Sequence, residues 1–163
     1  DVCSSDLLDE GILRQLFEAL DRERVEYVLV GGLALLVHGL GRTTEDIDLF
    51  VAPGEENTAR LRTALTAVFH DPEIAGISAQ DLSGDYGVVR YGPPAHDFLI
   101  DLLVRIGEMF RYADLEWEVK DFDGVPVRVA TPQTLFLMKR GTARALDHAD
   151  AEQLRRKFFL DED

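Results

Sequence analysis

The spacing of apolar residues changes period several times along the first seventy positions. Residues 7–22, "LLDEGILRQLFEALDR", place Leu8, Ile12, Leu13, Leu16, Phe17 and Leu20 three and four apart, which predicts an amphipathic helix. "VEYVLV" (25–30) is β-branched and aromatic, and Gly31-Gly32 bounds it as a strand. Residues 33–39 then read as a short helix closed by Gly39 and Gly41. "DIDLFV" (46–51) is a second strand, stopped by Pro53-Gly54. Across 55–69, Leu61, Leu65, Val68 and Phe69 share one face of a second long helix.

The same reading continues to the end of the chain. "YGVVRY" (86–91) and "DFLIDLLV" (97–104) are strands joined through Gly92-Pro93-Pro94. "WEVKDFDGVPVRV" is a hairpin turning near Asp123-Gly124. Thr131 caps a helix that opens on Pro132, and helices occupy about 132–145 and 148–159. No repeat, low-complexity run or Pro/Ser-rich linker interrupts the pattern. It predicts an α/β (α+β) fold, a mixed β-sheet with flanking helices and a short helical C-terminal end. Residues 1–6 match no element and are set aside as a disordered or extraneous tail. Residues 7–163 read as one domain, with a core over about 25–130 and a helical part over about 131–160.

Composition narrows the function classes. Hydrophobic residues at 46% and charged residues at 29% are ordinary for a globular protein. A formal net charge of −14 opposes a broad grip on nucleic-acid phosphates, which demand Lys and Arg. No apolar run approaches the roughly 20 residues that span a bilayer. The single cysteine, Cys3, excludes an internal disulfide. A cytoplasmic protein without a membrane segment is expected.

Two carboxylates break the second strand. Side chains alternate faces in a strand, so Asp46 and Asp48 share one face while Ile47 and Leu49 pack on the other. Like charges so close repel unless a cation lies between them, and Mg²⁺ prefers carboxylates together with substrate phosphates. Asp101 is the one polar residue in "FLIDLLV", and a lone buried carboxylate is costly unless paired or metal-bound. Beside the Asp46/Asp48 strand it would complete a three-carboxylate site able to hold two divalent ions for phosphoryl transfer. The competing reading is an Asp on an edge strand, or one paired with Arg90 or Arg105. Gly31-Gly32 would let backbone N–H groups approach phosphate oxygens at a helix start. Thr44 and Arg42 offer a hydroxyl and a guanidinium close by. Neither a Walker A nor a Rossmann fingerprint is present.

Taken together, "GGLALLVHGLGRTTEDIDLF" resembles the signature of the polymerase-β-type nucleotidyltransferase superfamily, in its branch of abortive-infection toxin-type and minimal bacterial nucleotidyltransferases. That signature is Gly-Gly or Gly-Ser, a short helix, Asp-x-Asp, and a third Asp on a later strand. Gly31, Gly32, Asp46, Asp48 and Asp101 match it, and Arg42, Thr44 and Asp46 match the branch's Arg-x-Ser/Thr-x-Asp run. Lys139 in "VATPQTLFLMKRGTAR" matches its later helical lysine, with Asp147 or Asp150 as the following Asp. Gly32 stands where the antitoxin-like minimal transferases carry Ser, and the C-terminal part is short beside the larger toxins. The resemblance implies a nucleotidyltransferase fold and Mg²⁺- or Mn²⁺-dependent transfer of an NMP from an NTP to an acceptor hydroxyl, within a toxin–antitoxin or phage-defence system. It leaves the acceptor open among tRNA, a partner protein and a small molecule.

Several residues have a plainer reading. Lys139 would hold triphosphate or offset transition-state charge, or its stem merely covers the core edge. Asp147 reads as a helix N-cap, Arg144 as a surface charge, and His38 as a packing histidine. Arg155, Arg156 and Lys157 read as a solvated helix face and form the only dense basic patch. The alternative to an enzyme is a non-catalytic nucleotide- or partner-binding module on the same fold.

Overall fold

The computed structural model describes residues 10–40, 46–84, 87–106, 110–140 and 145–160, with side chains in the last segment from 148 onward. Cys3, Arg42, Thr44, Arg144 and the side chain of Asp147 lie outside the described residues. The first amphipathic pattern forms α1 (Glu10–Arg22), which buries Leu13, Leu16, Phe17 and Leu20. Strand β1 (Tyr27–Val30) leads directly into α2 (Gly31–Val37), two residues earlier than the sequence predicts. The glycines bound the strand as predicted, and they also form the helix's first turn. Strand β2 (Asp46–Val51) and helix α3 (Glu55–Phe69) have the predicted bounds.

A short α4 (Ala79–Leu82) precedes β3 (Val88–Tyr91) and β4 (Leu99–Leu103). Two small strands, β5 (Arg105–Ile106) and β6 (Phe110–Arg111), make a separate two-stranded sheet. The hairpin β7 (Trp117–Phe122) and β8 (Val125–Ala130) turns through Asp123 and Gly124, both at positive φ. That is the geometry a two-residue hairpin turn requires. Helices α5 (Pro132–Arg140) and α6 (Ala145–Phe158) close the chain and pack on each other. As expected, the Thr131 hydroxyl caps α5, accepting from Thr134 N–H at 3.2 Å.

The main sheet has the order β3-β4-β2-β1-β8-β7. It is mixed: β2–β4 and β1–β8 are parallel, and the remaining pairs are antiparallel. This α/β architecture agrees with the predicted fold class. One face is covered by α1 and α3, with Phe17 6.2 Å from Tyr27 and Phe69 6.0 Å from Tyr91 between ring centres. Ile47, Leu49, Ile100 and Leu102 pack beneath them and are fully buried. Asn57 clamps the far end of β1 and β2: its carbonyl accepts from Glu26 N–H at 2.7 Å, and its amide donates to Glu26 O and Ala52 O. The buried cluster runs on without a break from Leu13 of α1 to Leu154 of α6.

Candidate active site

The second face of the sheet carries the polar residues. Strand pairing sets Val30 opposite Asp48, Asp48 beside Asp101, and Asp101 opposite Arg90, so these four residues form one row across four strands. Asp46 lies two residues from Asp48 on the same face and is partly buried. The separation of Asp46 and Asp48 from Ile47 and Leu49 is the one that strand alternation predicts.

Asp48 is the centre of the group. Burial pushes its carboxyl up to about 7, helped by the charges of Asp101 and Asp46 and a hydrogen bond shared with Asp101, while the Lys139 ammonium pulls it back. Gly31 explains how close the helix comes. It has φ +76°, and a Cβ there would lie 2.0 Å from Asp48 Oδ2. Only glycine permits both that backbone conformation and that approach. The neighbouring Gly32 is buried in the same first turn of α2, which has no side-chain cap.

Asp101 has a partner. Arg90 Nε donates to Asp101 Oδ1 at 2.8 Å and Nη2 donates to Oδ2 at 3.3 Å, a two-pronged contact from an exposed arm. The sequence left this pairing open as one of two arginine alternatives. The edge-strand reading does not hold, because β4 lies between β3 and β2. Among the described residues no group of three or more metal-ligating side chains is gathered to hold an ion as it stands. The donor set nonetheless suits a hard divalent cation: carboxylate oxygens in a cluster where burial, and after it mutual repulsion, already favours added positive charge.

Lys139 reaches this region from α5, and its Nζ lies 3.1 Å from Asp150 Oδ2 of α6. Both side chains are largely buried, at 12% and 4% exposed. Asp150, a weak candidate by sequence, is therefore the residue that fixes the lysine. His38 is a packing histidine, its Nε2 donating to Ala130 O at 2.8 Å. Lys157 donates to His38 O at 2.9 Å, while Arg155 and Arg156 both bind Glu152. Part of the basic patch thus serves internal contacts.

The model of the family described as "Nucleotidyl transferase AbiEii toxin, Type IV TA system" matches residues 12–153. The chain belongs to the AbiEii nucleotidyltransferase toxin family. As a member, it is a nucleotidyltransferase of a toxin–antitoxin system, the first of the two function classes weighed above. No curated protein sequence matches the chain significantly. Among solved structures, this AbiEii chain is similar to an antigenic nucleotidyltransferase-like protein from Paracoccidioides brasiliensis, with 19% identity, TM-score 0.57, and coverage of 94% of this chain and 78% of that one. A Thermotoga maritima structure assigned to the nucleotidyltransferases matches at 13% identity and TM-score 0.55, covering 91% of each chain. The lincosamide antibiotic adenylyltransferase LnuA, with lincomycin bound, matches at 14% identity and TM-score 0.57, covering 91% of this chain and 98% of that one. At such identities these likenesses speak for the fold.

Proposed function

We propose that the carboxylate row is the catalytic centre and that the protein moves an NMP from an NTP to an acceptor hydroxyl, releasing pyrophosphate. The observation that supports this best is the register that sets Asp48 beside Asp101, with the Asp48 carboxyl pushed up to about 7. Bound Mg²⁺ or Mn²⁺ would supply Lewis-acid neutralisation of phosphate oxygens that gain charge. Asp46 and Asp48 would hold both ions, and Asp101 the one nearer the acceptor.

In the proposed reaction the acceptor oxygen forms a bond to the α-phosphorus, and the bond from that phosphorus to the β-phosphate oxygen breaks. The electron pair leaves with pyrophosphate. Asp101 takes the hydroxyl proton as general base. Gly31 and Gly32 offer backbone N–H groups to the phosphates, with Arg42 and Thr44 as further donors. Lys139, held by Asp150, offsets negative charge on the triphosphate.

The test is incubation of the protein with each labelled NTP and a cell lysate, followed by identification of whatever acquires label. Asp46→Asn with Asp48→Asn is expected to remove transfer while the melting curve keeps its cooperative shape. Undiminished transfer by that double variant overturns the assignment. The labelled species also distinguishes tRNA, a partner protein and a small molecule as acceptor.

A further inference from the structure

Strand β7 ends the main sheet, and among the described residues its one ladder is with β8. Thr131 N–H donates to Glu116 O at 3.1 Å, which makes residues 116 and 131 a hydrogen-bonded antiparallel pair. Such pairs alternate along the ladder. The backbone groups of Glu118, Lys120 and Phe122 therefore point to β8, and those of Trp117, Val119 and Asp121 point out of the sheet. Trp117 and Val119 are also exposed, at 41% and 57%, although both are large and apolar. An edge with outward backbone donors and acceptors that no strand among the described residues pairs, and with exposed apolar side chains, is a template for another strand.

The sequence of this edge favours one occupant. We propose that β7 pairs with β7 of a second copy of this chain, antiparallel about a twofold axis through Val119. In that register the outward groups of Trp117, Val119 and Asp121 meet those of Asp121, Val119 and Trp117 of the second copy. Between them Glu118 falls opposite Lys120, once on each side of the axis. These are the non-hydrogen-bonded positions, where facing side chains come closest. An axis at Trp117 would set Glu116 against Glu118, and an axis at Asp121 would set that carboxylate against itself. Axes at Glu118 or Lys120 would set each of those charges against itself, so the Val119 register alone brings opposite charges together with no like charges facing. A twofold contact of this kind closes on itself and leaves no new edge at the joint. To an unrelated strand the alternating charges act instead as edge protection.

Sedimentation velocity of the full chain over a hundredfold concentration range tests the pairing. A reversible monomer–dimer equilibrium is expected. Lys120→Glu turns both ion pairs repulsive and weakens the dimer by about tenfold or more. Glu118→Lys combined with Lys120→Glu restores it. Val119→Pro removes an N–H that the β8 ladder does not use, so the dimer is lost while circular dichroism and melting stay unchanged. If the proline variant misfolds, the charge reversal and its rescue decide alone. A monomer at every concentration overturns the proposal. Slow hydrogen exchange at the Trp117, Val119 and Asp121 amides of that monomer would mean that the same chain covers its own edge. A dimer indifferent to the charge reversal, or to Val119→Pro, overturns it equally.

Discussion

Strand β2 lives in two environments at once. Ile47, Leu49 and Val51 lie on the helix-covered face, at 1% exposure or less. One residue away, Asp46 and Asp48 face the other side, where like charges meet without full solvation. The covered face contributes stability by removing apolar area from water. The open face gives some of it back, because partly buried carboxylates repel one another until a proton or cation arrives. The same six residues thus hold the fold together and store the unmet charge that the proposed chemistry needs.

The contrast is sharpest in truncation on the covered face. Leu49→Ala is expected to cost about 2–5 kcal/mol, since it opens a cavity in a fully buried layer. Chemical denaturation reads this directly; a loss below about 1 kcal/mol would mean that the helices do not pack there as tightly as the burial implies.

A smaller effect of opposite kind is expected one residue away. The folded-state affinity of Asp48 for a proton exceeds that of the unfolded chain, so the folded protein binds more protons between about pH 4 and pH 7. The contribution of this group to stability is therefore best below that window and falls as pH rises through it. In a chelator the loss should be on the order of 2 kcal/mol, and Asp48→Asn should flatten that part of the profile. Added Mg²⁺ should flatten it too, by ligand linkage. A wild-type profile that rises with pH across the window under chelation would contradict this account of burial and repulsion at Asp48.

The smallest stability change concerns Arg90. Its arm is exposed, so Arg90→Gln should leave global stability essentially unchanged in chemical denaturation. Its guanidinium nevertheless occupies both oxygens of Asp101. Calorimetric titration with Mn²⁺, without nucleotide, is expected to show severalfold tighter binding in the variant. Unchanged or weaker binding would mean that Arg90 orients Asp101 toward an ion and does not compete with one.

Much of the fold was legible because it is written in short-range periods. Helical spacing in α1 and α3, alternation in β2, the glycine turn of the hairpin and the Thr131-Pro132 helix start all appear in the structure. The start of α2 differs by two residues because Gly31-Gly32 reads as a turn between strand and helix, whereas a glycine at positive φ opens the helix itself against Asp48. Strands β5 and β6, two residues each, are too short to leave a period. Arg90 could be suspected from its charge, but the choice between it and Arg105 required the β3–β4 register.

The amino-acid sequence by itself determined that Asp46 and Asp48 share a face and that Ile47 and Leu49 oppose them. That follows from the pleat, a property of the backbone over a few residues. Only the tertiary structure decided that Asp101 lies beside Asp48, that Arg90 grips it, and that Asp150 holds Lys139 from a second helix. Those neighbours come from distant segments, and their register is selected by burying the apolar faces of the whole sheet at once. No local pattern carries that choice.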